Sequence, residues 1–345
     1  MGNELIHHRM VPLHRLLPLP ALFILLVACQ PEGNGSTGTT VQPPPAPAVQ
    51  VPVFDTDSAY AFVAKQVSFG PRVPGSAAHK ACGDWLVAKL KSYGATVFEQ
   101  TGSVTAYNGQ PVPLRNIIAS WQPEKKDRLL LMAHWDSRPF ADKDDERPND
   151  PIDGANDGGS GVGVWLEVAR HFHERMPALG IDIFFTDVED MGEPNNALMG
   201  TEEGSTMRTW CLGSQYWVKN PHVPGYKARF GILLDMCGSE DARFPKEGFS
   251  MRYAPNVVSK VWSAAVASGH GDRFLAETIN YVGIDDHVIV NEGLNIPSID
   301  IIAFDQASGS FPSTWHTHDD NLQNISKASL EAVGATMARV VWGEK

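Results

Sequence analysis

Short, nearly continuous apolar runs alternate along this chain with segments of helical spacing, and that alternation limits what it can fold into. The runs lie at 128–133, 181–186, 229–234 and 296–303. A run with no polar face must be buried on both sides, as strands of a parallel sheet are. Helical spacing marks 57–67, 76–93, 160–173, 210–219 and 255–268. In 160–173, Val162, Leu166, Ala169 and Phe172 share one face, and in 255–268 Val258, Val261, Trp262 and Ala265 do. Ser326 is placed to cap a last helix carrying Leu330, Val333, Met337 and Val340. Two further extended runs occupy 96–106 and 114–121. The expectation is an α/β fold: a mostly parallel, mixed central sheet with helices on both faces.

The first 29 residues read as an export signal. His7, His8, Arg9 and Arg15 make a basic start, and the apolar stretch 16–27 is broken by Pro18 and Pro20. It is too short and too interrupted for a spanning helix. Leu26-Val27-Ala28-Cys29 resembles the lipobox of bacterial lipoproteins, which implies lipid attachment at Cys29; the alternative is an ordinary cleaved signal with a chance Cys. Gln30, rather than Asp, after the Cys points to outer-membrane sorting, facing the periplasm. Residues 30–53 are rich in Pro, Gly, Ser and Thr and lack core formers, so they read as a flexible linker. The expected organisation is signal 1–29, linker 30–53 and a single domain 54–345.

The net charge of −12, with no basic run in the folded part, argues against nucleic acid as a partner. Cys82, Cys211 and Cys237 remain besides Cys29, with no CxxC pair, so a cysteine-built zinc site is excluded. Three cysteines allow at most one disulfide, and buried free thiols are the expectation. No internal repeat is present. The long irregular stretches 139–159 and 192–209 are of a length that usually serves function.

Acidic and His residues gather just after the strands or in the loops that follow. His134 and Asp136 follow the first run. Asp187, Glu189 and Asp190 follow the second, Asp235 the third, and His316 and His318 lie beyond the fourth. In open parallel sheets ligands bind outside the carboxyl ends of the strands, so these groups should converge there. Asp157 sits in Gly154-Ala155-Asn156-Asp157-Gly158-Gly159-Ser160-Gly161, directly before a helix. It could be a helix cap or join the same edge. The loop contains an acid and no Lys, which disfavours a phosphate cradle. A set of nitrogen and oxygen donors suits zinc.

In order, His134-Trp135-Asp136, Gly154 to Asp157, Val188-Glu189-Asp190, Leu234-Asp235 and Trp315-His316-Thr317-His318-Asp319-Asp320 resemble the signature of M28-type zinc peptidases, from about Asp57 to the C-terminus. The resemblance implies the zinc-aminopeptidase-like (phosphorylase/hydrolase-like) fold. Two branches of that superfamily matter: aminopeptidases with two zinc ions, and glutaminyl cyclases, which use one to convert N-terminal Gln to pyroglutamate with release of ammonia. The resemblance implies Asp157, Asp190 and His316 as ligands of the shared zinc and Glu189 as general acid/base. Asp190 departs from the Glu common there. His134 and Asp235 match the ligands of a second zinc in aminopeptidases. In cyclases the His is a spectator and the Asp joins a hydrogen-bond network.

Surrounding residues favour the cyclase branch. Asp285-Asp286-His287 resembles the cyclase Asp-Asp-His, whose first Asp belongs to that network, so Asp285 and Asp235 are expected to share a proton. Phe311-Pro312-Ser313-Thr314-Trp315-His316 resembles the cyclase motif whose aromatics line the pocket, with Trp210 a further pocket candidate. Asp300 departs, because animal cyclases place a His there. The implied enzyme is a glutaminyl-peptide cyclotransferase, an acyltransferase, acting on peptides or proteins that begin with Gln. One zinc ion is expected, or two if the chain is an aminopeptidase, and a monomer is the expectation. A third reading is a catalytically silent binding domain on a lipid anchor.

Overall fold

The computed structural model describes residues 50–194, 209–280 and 283–345. The expected signal, Cys29 and nearly all of the linker lie outside them, as does most of the stretch 192–209. In chain order the elements are α1 (Thr56–Val67), α2 (Ala77–Ser92), β1 (Thr96–Thr105), β2 (Pro111–Trp121), β3 (Arg128–His134), α3 (Gly159–Arg170), β4 (Gly180–Thr186), α4 (Leu212–Lys219), β5 (Phe230–Asp235), β6 (Phe244–Lys246), α5 (Gly248–Tyr253), α6 (Pro255–Ala267), β7 (Phe274–Thr278), α7 (Asp286–Leu294), β8 (Ser298–Ile302) and α8 (Lys327–Gly343).

The main sheet has the order β1-β2-β4-β3-β5-β8. β4, β3, β5 and β8 pair in parallel, whereas β1 and β2 pair antiparallel with each other and β2 pairs antiparallel with β4. The short turn between β1 and β2, with Gly109 at φ 81°, forces the antiparallel edge. Side chains alternate across the sheet. Leu129, Leu131, Ala133, Ile183, Phe185, Ile232 and Leu234 join the larger core, beneath α1, α2, α3, α6 and α8. Leu130, Met132, Phe184 and Leu233 face the other way, onto Trp217 of α4 and Val290 of α7. Both faces are therefore covered, which is why the strands read as continuous apolar runs. Among the described residues no helix is long and apolar enough to cross a membrane.

Several boundaries differ from the sequence reading. α3 stops at Arg170 rather than at 173, with His171 as its C-cap. There the buried Glu167 takes Arg170, His171 and the Asp55 backbone N–H. α4 starts at Leu212, because Cys211 is left-handed, with φ 54° and ψ 37°. Ser326 stands at the N-cap of α8, but its side chain makes no capping bond. α7 was not anticipated: Val288, Ile289 and Val290 are buried in succession, so its sequence lacks helical spacing.

Candidate active site

The carboxyl ends of β3, β4 and β5 deliver the predicted cluster. His134 ends β3, and Asp235 ends β5. Beyond β4, Val188 takes φ 56°, a conformation that a β-branched residue adopts only when its surroundings impose it. Met236, next to Asp235, has φ 43°, and His316 itself has φ 58°. Strained backbone thus sits beside or within the site after β4, after β5 and in the final loop.

Asp157 belongs to the cluster and caps nothing. The N-cap of α3 is Gly158, at φ 77°, with no side-chain capping bond. A Cβ on Gly158 would meet the His134 ring at 2.7 Å, so only glycine lets Asp157 approach this closely. Asp157 faces both histidines. Its Oδ1 lies 2.9 Å from His134 Nε2, and its Oδ2 lies 3.7 Å from His316 Nε2. His134 Nε2 is also 3.2 Å from Asp235 Oδ1, and His316 Nε2 is 3.3 Å from Asp190 Oδ1. Two three-residue donor sets result, Asp157-Asp190-His316 and His134-Asp157-Asp235, each with donor atoms within 4.8 Å of one another.

The first set fits a zinc ion on chemical grounds. It is a buried nitrogen and oxygen set of the preferred kind. Asp190 Oδ2 is buried without a hydrogen-bond partner, as a carboxylate oxygen reserved for a cation would be. Behind it, His316 Nδ1 lies 3.0 Å from Asp142 Oδ1. Arg138 holds Asp142 through Nε and Nη2 at 2.7 and 3.0 Å and donates through Nη1 to the Asp190 carbonyl at 3.0 Å. A carboxylate behind a ligating His fixes its tautomer and ring orientation. In the second set, burial works against protonation of His134. Hydrogen bonds to Asp136, Asp157 and Asp235 prevail, and its pKa is raised well above the ordinary value.

Other buried groups hold this frame. Asp136 accepts the backbone N–H groups of Glu189 at 3.1 Å and Asp190 at 3.2 Å. Asp320 accepts those of Asn156 at 2.7 Å and Asp157 at 3.0 Å. Arg72, fully buried, donates to the carbonyls of Trp135, Asp153 and Gly154. Asp136 and Asp320 stand in the motifs that carry the resemblance, whereas Arg72 carries no sequence signal beyond being polar.

Not every predicted residue joins. Asp187 turns away: Oδ1 lies 2.8 Å from His79 Nε2, and Oδ2 accepts the Arg115 N–H at 2.6 Å. His318 pairs with Asp144 at 2.9 Å, on the long 139–159 loop. Asp285 and Asp235 crowd as expected, since the Asp235 charge is, after burial, the next cause that raises Asp285 well above the carboxylate range, and Asp300 adds a third carboxyl group. Asp285 and Asp300 bring oxygens within 4.8 Å of each other, whereas Asp235 bonds His134. Burial and then the charges of Asp285 and Asp235 push Asp300 well above the carboxylate range, as expected where carboxyl groups crowd without water.

A narrow pocket opens onto the cluster. Its lining includes Asp157, Glu189, Asp190, Asp235, Asp285 and His316, walled by Trp210, Phe311 and Trp315. Phe311 and Trp315 pack edge to face with centroids 4.8 Å apart, and Trp210 lies parallel to the His316 ring at 6.1 Å. The cavity volume is about 50 Å³, against roughly 300–1,000 Å³ for sites that take drug-sized ligands. The space beside the donor set is therefore small. A cavity of about 510 Å³ lies along Ser239–Arg243 and Phe304–Ala307 but contains none of these groups. Cys82, Cys211 and Cys237 are all buried free thiols, as expected.

Residues 116–341 match the family model for peptidase family M28. A crystal structure of glutaminyl cyclase from Bacteroides thetaiotaomicron, bound to N-acetylhistamine, is 50% identical to this chain. It superposes with a TM-score of 0.82, covering 86% of this chain and 100% of that one. A Zn-dependent exopeptidase from Parabacteroides distasonis is also 50% identical, with a TM-score of 0.81 and coverage of 86% and 100%. Bovine glutaminyl-peptide cyclotransferase is 26% identical over 251 residues, which span 63% of this chain and 62% of the bovine protein.

Proposed function

The chain belongs to peptidase family M28, and within it we propose a zinc-dependent glutaminyl-peptide cyclotransferase that converts N-terminal Gln to pyroglutamate with release of ammonia. The observation that carries this reading is the narrow pocket walled by Trp210, Phe311 and Trp315, with Glu189 and Asp285 inside it. A hydrolase must leave room for water and for the next residue. A cyclase needs a tight, dry slot that folds one Gln side chain back onto its own amine, because water in the slot would yield Glu instead. The cyclase from Bacteroides thetaiotaomicron and the bovine cyclotransferase support the reading.

Asp157, Asp190 and His316 would hold the zinc, with His134 a spectator. When bound, the ion supplies Lewis-acid polarisation of the substrate γ-carbonyl. Glu189 takes the proton from the attacking α-amine and returns it to the departing ammonia. It is suited to this shuttle because burial, the first cause, raises its pKa well above the carboxylate range. Asp285 faces the same pocket, where its carboxyl can hold the substrate amine in line. The aromatic walls exclude water.

The aminopeptidase reading keeps two observations in its favour, the second donor set His134-Asp157-Asp235 and the likeness to the Zn-dependent exopeptidase from Parabacteroides distasonis. Incubation with Gln-peptides and with Leu-amide chromogens separates the two. Ammonia release with the matching mass loss, and about one zinc per chain, supports the cyclase. Cleavage of the amide without cyclisation, with two tightly held zinc ions, overturns it. The silent binding domain would act on neither.

The same reading places the enzyme in a bacterial envelope, lipid-anchored through Cys29 and acting on exported proteins as a monomer. It rests on Leu26 to Cys29 and the linker composition. Loss of membrane association in Cys29→Ala supports it, and an unlipidated wild-type N-terminus by mass spectrometry refutes it.

A further inference from the structure

Cys211 touches Glu189 twice. Its backbone N–H donates to the Glu189 carbonyl at 3.0 Å. Its thiol donates to Glu189 Oε1 at 3.2 Å. The next residue, Leu212, donates its N–H to the Val188 carbonyl at 3.0 Å. The segment before α4 is therefore tied to the strained turn that carries Glu189. Cys211 is fully buried and sits at φ 54°, a left-handed conformation that L-residues rarely take. That conformation lets one residue present both its N–H and its Sγ to the same neighbour. The thiol also lies 3.6 Å from the Ile284 carbonyl, on the segment leading to Asp285.

We infer that Cys211 is a positioning residue: its thiol holds the Glu189 carboxylate in the orientation from which it moves the proton. The inference rests on Glu189 being the base, which both the cyclase and the aminopeptidase readings require. A carboxylate on a flexible side chain sweeps several rotamers, and a single well-placed donor selects one. Cys211 is fully buried and is not among the residues that line the pocket, so its effect should fall on turnover and not on binding. Cys211 is thus assigned a role distinct from that of Cys82 and Cys237, which have no contact with the proposed base.

The test compares Cys211→Ala and Cys211→Ser in the full-length protein, on whichever of the Gln-peptide and Leu-amide substrates the wild type turns over. Both variants keep a Cβ and hence the same backbone cost. Ser keeps a donor and Ala removes it. Loss of one hydrogen bond to a charged group predicts a kcat lower by roughly tenfold for the Ala variant, with KM within about twofold and zinc content unchanged. The Ser variant should recover most of that loss. Wild-type kcat in Cys211→Ala overturns the inference. So does a Ser variant as slow as the Ala variant, or an Ala variant that loses zinc, since each would mark a packing role. Wild-type cleavage of Leu-amide in place of cyclisation would refute the cyclase reading while leaving this comparison intact.

Discussion

Asp142 Oδ1 lies 3.0 Å from Nδ1 of His316, and the other ring nitrogen of His316 faces Asp157 and Asp190. The imidazole is therefore gripped between a carboxylate behind it and the donor set in front. Arg138 in turn holds Asp142 by two hydrogen bonds and the Asp190 carbonyl by a third. Asp142→Asn keeps the shape and removes the charge. Zinc affinity should fall by about 10–100-fold, the usual effect of losing such a partner. Competition with a chelator of known affinity measures it. Unchanged zinc retention would show that the carboxylate does not support the metal.

Glu189→Gln preserves size and hydrogen-bonding shape but cannot take a proton. Glu189 lies outside the proposed zinc set, so the variant should bind zinc as the wild type does. Its kcat should drop by roughly 10²–10⁴-fold, the span that general acid/base work contributes. Turnover within threefold of wild type would mean that the base is another group, with Asp285 next in line.

The fold was legible because a sheet buried on both faces must use continuous apolar strands, and each run appears as a strand within a few residues. The convergence of Asp157, Glu189, Asp190, Asp235 and His316 was legible for a topological reason, since parallel strands bring their ends to one edge, while their separate roles came from the resemblance to M28-type zinc peptidases. What could not be read is which way a side chain turns. Asp187 and Asp190 follow the same strand, yet Asp187 serves His79 and the Arg115 backbone while Asp190 enters the site. Val188 between them is left-handed, and nothing in a valine announces that. Asp142 and Arg72 were invisible for a related reason. Their importance lies in partners distant in sequence, and a loop Asp or a surface-like Arg looks the same without them. Asp300 was noticed as a departure, but its pairing with Asp285 depends on the packing of α7 against β8.

The three thiols should be inert in the native protein. Burial pushes Cys82 and Cys237 up to about 12 and raises Cys211 well above the ordinary thiol value, with the Glu189 charge as the next cause there. The thiolate is the reactive form, and at pH 8 its fraction at a pKa of 12 is on the order of 10⁻⁴. Alkylation at pH 8 should leave all three unmodified over hours. In denaturant each should be labelled without prior reduction. Rapid native labelling, or a need for reductant, would contradict the buried free thiols.

Asp182 offers a test that separates stability from chemistry, because it lies toward the start of β4, away from the strand end that leads to Glu189. Its oxygens are fully engaged. Arg128 reaches them through Nε at 2.6 Å and Nη2 at 2.7 Å, Tyr226 through its hydroxyl at 2.7 Å and Ser120 at 2.5 Å. The carboxylate is 1% and the guanidinium 8% exposed, so solvent screens the pair little. Asp182→Ala leaves the buried guanidinium without its counter-charge, held only by the carbonyls of Trp121, Gln122, Lys125 and Ile181. Breaking a buried ion pair from one side costs about 3–5 kcal/mol, which urea unfolding should report as a lower midpoint with an unchanged slope. The folded fraction should keep wild-type kcat and KM, since neither the aromatic walls nor the donor sets touch this cluster. A loss below about 1 kcal/mol, in the range of an exposed pair, would show that water or a side-chain shift relieves Arg128. A fall in kcat at full folding would show that the two ends of the sheet are mechanically coupled.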